Sequence, residues 1–313
     1  MLIQLLILAA GLALLYIGST VLVEGAASTA IMFAIRPVIV GLTIVSLATS
    51  APELLVSLVA AIKGSGGISI GNIIGSNVIN ITLVLGISAL LKPVSVKKQV
   101  ARIEIPYMIL VSLVFWILCL DSDLGRTDGI ILLLLLLVFL VYGILTAKDN
   151  NKGCPDTPSP VRSGKKILKN GIYIVLGIIM LGVGADFVVT EAIVIANKIG
   201  LSQTFIGISV VALGTSLPEL ATSAVAAARN ESDISVGNVV GSNLFNICLV
   251  MGTVGMFNPM AINPELHSFQ FPFMLFITVL LGSVAFLGRG VNKKTGTLFI
   301  ALFFIYIVVS YFR

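Results

Sequence analysis

Residues 41–86 read GLTIVSLATSAPELLVSLVAAIKGSGGISIGNIIGSNVINITLVLG, and residues 207–252 read GISVVALGTSLPELATSAVAAARNESDISVGNVVGSNLFNICLVMG. The two stretches align without a gap at a constant offset of 166, and 24 of the 46 positions are identical. Unrelated apolar helices coincide mainly at Leu and Val. Here the shared letters include Thr, Ser, Pro, Glu, Asn and Gly, which marks an internal duplication.

The rest of the chain shows what medium this repeat occupies. Of 313 residues, 58% are hydrophobic and 11% charged, against about 25% charged in soluble domains. A mean hydropathy of +1.12 leaves too little polar surface for a globule, whereas a bilayer asks for about 20 apolar residues per spanning helix. Ten such segments run over 2–27, 35–62, 68–90, 103–120, 129–146, 167–197, 204–228, 234–256, 269–288 and 296–312. Runs such as Ile130 to Val141 are apolar on every face, which excludes the alternating pattern of a transmembrane barrel. The first run lacks a basic start and is too long for a cleaved leader, so it is expected to span. The fold class expected is an all-α polytopic membrane protein with ten transmembrane helices in two inverted five-helix repeats.

The one long polar connector, 147–166, carries Pro155, Pro158 and Pro160 and is too short for a folded domain. It separates a first repeat, 1–146, from a second, 167–313. Five segments per half is an odd number, so the second half enters the membrane in the opposite sense. Numbering the connectors alternately puts 15 basic residues on one side, among them Arg36, Lys92, Lys97, Lys98 and Arg102, and leaves Lys63, Arg126, Lys198 and Arg313 on the other. By the positive-inside rule the linker is expected in the cytoplasm and both termini outside a cell membrane. Inverted repeats are a construction of secondary transporters, with substrate held near the midplane by discontinuous helices. The scattered basic residues do not form a nucleic-acid face. Cys119, Cys154 and Cys248 make neither a disulfide framework nor a metal-binding spacing.

The repeated polar residues carry the chemistry. Thr49, Glu53 and Ser57 fall on one helical face, with Ser50 beside them, and Thr215, Ser216, Glu219 and Ser223 repeat the set. A carboxylate in mid-membrane costs at least about 2.5–3.5 kcal/mol on insertion scales, so Glu53 and Glu219 are expected to face a cavity or a cation. Pro52 and Pro218 deny the carbonyls of Ala48 and Gly214 their helical donor. Such carbonyls at membrane depth are tolerated where they line a cavity or find another donor. The second motif, GNxxGSNxxN, supplies Ser76 and Asn80 one turn apart, and Ser242 and Asn246 likewise. Carboxylate, hydroxyl, amide and carbonyl oxygens together suit a hard cation such as Ca2+. Asn72, Asn77, Asn238 and Asn243 are assigned to fixing the broken helices. Ser57 and Ser223 are equally suited to packing and to ligation, His267 is a lone loop residue, and Glu24, Asp186 and Glu191 are placed toward the membrane surface.

These motifs, Thr49-Ser50-x-Pro52-Glu53 with Gly75-Ser76-Asn77 and Thr215-Ser216-x-Pro218-Glu219 with Gly241-Ser242-Asn243, resemble the cation/calcium exchanger superfamily, nearest to the prokaryotic sodium/calcium exchangers. The resemblance implies an antiporter that moves Ca2+ one way and Na+ the other. Its ion ligands map onto Thr49, Ser50, Glu53, Ser76 and Asn80, and onto Thr215, Ser216, Glu219 and Ser242, with backbone carbonyls at Ser46 and Ala212. Potassium-dependent members carry an acidic residue where this chain has Asn246, which favours a potassium-independent exchanger. The first and sixth segments would form the mobile gate, and the linker has no room for calcium-sensing domains of the animal type.

Two carboxylates give the unloaded site a charge near −2, matched by one Ca2+ or by two or three Na+. Competition for the same oxygens then suffices for exchange, the carrier crossing readily only when loaded. The transported Ca2+ and Na+ are the only ligands expected, with no cofactor, no nucleic acid and no obligate protein partner beyond the lipid bilayer. A proton/calcium antiporter would use the same two glutamates and stays open as an alternative. A cation channel fits less well, because channels assemble identical subunits around an axis. An enzyme is not expected, since no H-E-x-x-H metal motif occurs.

Overall fold

The computed structural model describes residues 2–33, 37–62, 64, 66–149, 164–198, 212–288 and 290–312. Most of the expected linker, including Cys154, and the start of the expected seventh segment lie outside the described residues.

Helix α1 spans Leu2–Phe33. At 1.5 Å per residue its 32 residues reach about 48 Å, more than a bilayer core of about 30 Å, so it crosses tilted or projects beyond the hydrocarbon. A broken span follows as α2, Pro37–Thr49, and α3, Ala51–Ile62, bent by 41°. Helix α4 runs as Gly66–Ile79, a widened π turn over Asn80–Val84, and Leu85–Leu91. Helix α5 comprises Val100–Glu104 and Ile105–Leu118, and α6 is Arg126–Asp149.

The second half repeats the plan. Helix α7 spans Gly164–Lys198, and the broken span appears as α8, Ala212–Thr215, and α9, Leu217–Ala228. Helix α10 runs as Ser232–Leu244, a π turn over Phe245–Met251, and Gly252–Phe257. Helices α11, Gln270–Phe286, and α12, Lys293–Phe312, complete the set. Among the described residues eight helices are long and apolar enough to cross a membrane, and the bent pair α2–α3 makes nine. The tenth span is described only from Ala212 onward. The segments expected from hydropathy thus appear in order.

The inversion is visible in two small strand contacts. Asp123–Leu124 (β1) pairs antiparallel with Met260–Ala261 (β2), joining the α5–α6 and α10–α11 connectors. Val94 pairs with Val291 in the same antiparallel sense, joining the α4–α5 and α11–α12 connectors. Adding the repeat offset to Val94 gives Met260, and subtracting it from Val291 gives Gly125, next to Leu124, so to within one residue each contact is the image of the other at opposite ends of the helices. Gly66, at the start of α4, lies against Met260 and Ala261, while Lys97 pairs with Asp233 at the start of α10. These contacts sort the connections they join into the same two groups as the charges do.

Burial ranks the helices. In both α4 and α10, 83% of the most apolar stretch is buried, against 22% in α6, α7 and α12. The repeated GNxxGSNxxN helices thus form the centre, and α6, α7 and α12 lie at the periphery. Most of the interior is one apolar cluster built on α4, α5, α10, α11 and α12. A second, smaller cluster joins α1 and α7 to α2, α9 and α10 through Leu15, Leu22, Val23, Ala26, Val40, Val45, Leu181, Ala226 and Ile234.

Candidate cation site

Each broken span stops at a serine. Ser50 has φ −84 and ψ 5, and Ser216 φ −87 and ψ 5, so the helical ladder is interrupted at equivalent points. Proline follows two residues later and pre-sets the first turn of the next helix, where its missing N–H costs nothing. That turn carries Glu53 in α3 and Glu219 in α9. The positive end of a short helix favours a negative side chain at this position. Proline and glutamate at this spacing therefore put a carboxylate at the head of a half-helix inside the protein.

The two halves exchange donors. Ser50 Oγ donates to Glu219 Oε1 at 3.2 Å, and Ser216 Oγ donates to Glu53 Oε1 at 3.4 Å. Ser242 Oγ also donates to Glu219 Oε1 at 3.3 Å. Thr49 donates to Asn238 Oδ1 at 3.2 Å and Thr215 to Asn72 Oδ1 at 3.3 Å. Asn72 and Asn238 in turn donate to Ser57 at 3.1 Å and Ser223 at 2.9 Å. Every one of these contacts but the Ser242 bond has an image at the repeat offset. Ser57 and Ser223, which the sequence leaves between packing and ligation, thus hold Asn72 and Asn238.

Ser46 and Ala212 fall at the same place. The Ser46 carbonyl accepts from Ser50 N at 2.9 Å and Thr49 Oγ1 at 3.3 Å. The Ala212 carbonyl accepts from Ser216 N at 3.3 Å and Thr215 Oγ1 at 3.2 Å. The Ser46 hydroxyl points elsewhere, to Gly41 O at 2.6 Å and Asn238 O at 3.1 Å.

What remains is a set of oxygens. Glu53 Oε2, Glu219 Oε2, Ser76 Oγ, Asn80 Oδ1 and Asn246 Oδ1 are all buried without a hydrogen-bond partner. Glu53 and Glu219 are 0% exposed and within Coulombic reach of each other. Buried acceptors are almost always satisfied, and two ionised carboxylates in one dry site demand a positive partner. All five are hard oxygen atoms, with no nitrogen or sulfur among them, so the chemistry suits Ca2+ or Na+ over softer metals. Among the described residues no group of three His, Cys, Asp or Glu side chains could hold a metal.

The structure adds features that spacing alone does not indicate. The π turns begin at Asn80 in α4 and enclose Asn246 in α10; such insertions widen a helix at functional positions. Asn77 and Asn243 meet across the molecular centre, each Nδ2 donating to the other's backbone carbonyl at 3.4 Å. The repeated asparagines themselves are the sequence signal, although their partners are not readable from it. Away from the site, His267 Nδ1 accepts from Trp116 Nε1 at 3.2 Å within an aromatic stack on Phe271. Glu24 is exposed and pairs with Lys169 at 3.8 Å, while Asp186 is exposed and Glu191 half-buried.

A twofold-repeated helical frame around paired intramembrane carboxylates defines a membrane transporter for cations, not an enzyme. The sequence profile of the sodium/calcium exchanger protein family matches residues 3–145 and 169–312, and the chain belongs to that family. It is 35% identical over 302 residues to the inner membrane protein YrbG of Escherichia coli (strain K12), covering 93% of each chain. It is 37% identical over 255 residues to the putative antiporter CaxA of Alkalimonas amylolytica, covering 80% of each, and 28% identical to the sodium/calcium exchanger MaX1 of Methanosarcina acetivorans, covering 98% of each. Among solved structures, the sodium-calcium exchanger NCX_Mj superposes with a TM-score of 0.85 at 31% identity over 98% of both chains.

Proposed function

We propose that the protein is a secondary active antiporter exchanging Ca2+ for Na+ across the cell membrane by alternating access. Both ions would compete for the oxygens of Glu53, Glu219, Thr49, Ser50, Thr215, Ser216, Ser76, Ser242, Asn80 and Asn246, with the Ser46 and Ala212 carbonyls joining when the threonine hydroxyls turn away. The observation that carries this reading is the pair of fully buried carboxylates, each with one oxygen unpartnered. The sodium-exchanging relatives support Na+ as the counter-ion.

A site with two negative charges is neutralised by one Ca2+ or two Na+. Desolvating the unloaded pair during a crossing is costly, which couples the two fluxes without any further device. Exchange of serine donors between halves ties each carboxylate to the opposite repeat, so the site responds to movement of one repeat against the other. Helices α1 and α7 are the proposed gate: they pack lengthwise on each other and reach the rest of the protein through their own apolar cluster. The repeats are assigned to 1–146 and 167–313, with the 147–166 linker cytoplasmic and both termini outside.

The test is 45Ca2+ uptake into proteoliposomes under an outward Na+ gradient, an outward H+ gradient, or neither. The reading expects uptake with Na+ inside. Uptake driven by H+ alone would reassign the counter-ion, and rapid uptake without either gradient would indicate a channel.

A further inference from the structure

The amide groups around the twofold axis form a chain whose direction is fixed by two backbone atoms. Asn77 Nδ2 donates to the Asn243 backbone carbonyl at 3.4 Å, with Met274 Sδ as a second neighbour at 4.0 Å. A carbonyl can only accept, so the amide nitrogen of Asn77 must lie on that side and its Oδ1 on the other. That Oδ1 faces Asn246 at 3.2 Å, and an acceptor there requires Asn246 to present its NH2 group. The Oδ1 of Asn246 is consequently turned away, buried and without a hydrogen-bond partner. The other half repeats the logic: Asn243 Nδ2 donates to the Asn77 backbone carbonyl at 3.4 Å, and Asn243 Oδ1 accepts from Asn80 Nδ2 at 3.1 Å. Asn80 Oδ1 is likewise buried without a partner.

We propose that Asn77 and Asn243 are positioning residues that lock the amides of Asn246 and Asn80, each in the opposite repeat, with oxygen rather than NH2 toward the cation. The inference rests on the proposed reading that Asn80 and Asn246 contribute ligand oxygens. A primary amide has nearly the same shape either way round, but its NH2 face repels a cation. Among the described residues the hydrogen bonds that the Asn80 and Asn246 NH2 groups donate cross from one repeat to the other, so each repeat orients the other's ligand. Asn77 and Asn243 touch no ion and act through their neighbours.

The experiment measures the apparent KM for Ca2+ in 45Ca2+/Ca2+ self-exchange, which is independent of the counter-ion. Asn246→Ala should raise KM by about tenfold, the worth of one hydrogen-bond-strength interaction with a charge, and Asn77→Ala by a similar factor. The double variant should be no worse than Asn246→Ala alone, because Asn77 has nothing left to orient. Asn243 with Asn80 should behave identically. Asn77→Thr, which keeps an acceptor hydroxyl, should restore most of the affinity, whereas Asn77→Val, of the same shape, should not. A purely structural role predicts additive effects and equal behaviour of Thr and Val, and either result overturns the inference. So does an unchanged KM in Asn246→Ala and Asn80→Ala. Loss of exchange in Glu53→Gln and Glu219→Gln would still support the carboxylate site in that case, whereas intact exchange in those two variants would overturn the proposed function itself.

Discussion

Glu53 and Glu219 are the two side chains whose removal should matter most. Each is bonded through one oxygen to a serine of the opposite repeat and leaves the other oxygen unpartnered. Glutamine at either position keeps the shape and removes the charge. Glu53→Gln and Glu219→Gln are therefore expected to lower 45Ca2+ exchange by at least about 100-fold, in keeping with a charged contact in a dry site, while fluorescence-detected gel filtration shows unchanged folding. Thr49 and Ser242 act more weakly. Thr49 bonds within its own helix and to Asn238, and Ser242 donates to Glu219, so Thr49→Ala and Ser242→Ala should raise the apparent KM for Ca2+ by about threefold to tenfold with the maximal rate retained. A fall in rate with KM unchanged would assign these hydroxyls to the conformational step instead of the ion.

At the scale of elements, the site depends on how closely the central helices approach. A Cβ on Gly237 of α10 would meet Val38 O at 2.6 Å and Gly41 Cα at 3.1 Å, so α2 and α10 cross backbone on backbone. Gly237→Ala should cost about 1–3 kcal/mol and lower the melting temperature. Gly171→Ala on α7, which meets nothing within 4 Å among the described residues, should not. How much of this the sequence discloses depends on the element. The apolar segments, their order, the duplication and the paired glutamates are all readable, because each rests on composition or on spacing along one chain. The helix breaks are readable too, since Pro52 and Pro218 act on their own helices. The serine donors swapped between halves and the asparagine chain are not, because they join residues more than 140 positions apart, nor are the π turns at Asn80 and Asn246. The Gly-Asn-Gly-Ser-Asn motif marks where such contacts occur without saying which residue meets which.

For the whole molecule, the proposal requires α1 and α7 to move as a unit over a fixed centre. They pack so closely that a Cβ on Gly177 would meet Leu22 Cβ at 2.7 Å and Gly18 O at 2.9 Å, whereas their contact with the rest of the protein runs through a small separate apolar cluster. A chemical crosslink pinning α1 to α9 should abolish exchange and leave Ca2+ binding intact; undiminished exchange would remove these helices from the gate. Sidedness follows from the same plan: a cysteine placed at Lys148 should react with an impermeant maleimide only in inside-out vesicles, and reaction in intact cells would reverse the topology.

The central claim is that Ca2+ and Na+ occupy one site built on two carboxylates. It is tested most directly by 45Ca2+/Ca2+ self-exchange with equal Na+ on both sides of the membrane, so that no gradient drives the flux. The account predicts that Na+ raises the apparent KM for Ca2+ steeply, with more than one ion displacing each Ca2+, and leaves the maximal rate at saturating Ca2+ unchanged. A maximal rate that falls with Na+ while KM stays constant, or no effect of Na+ at all, would contradict it.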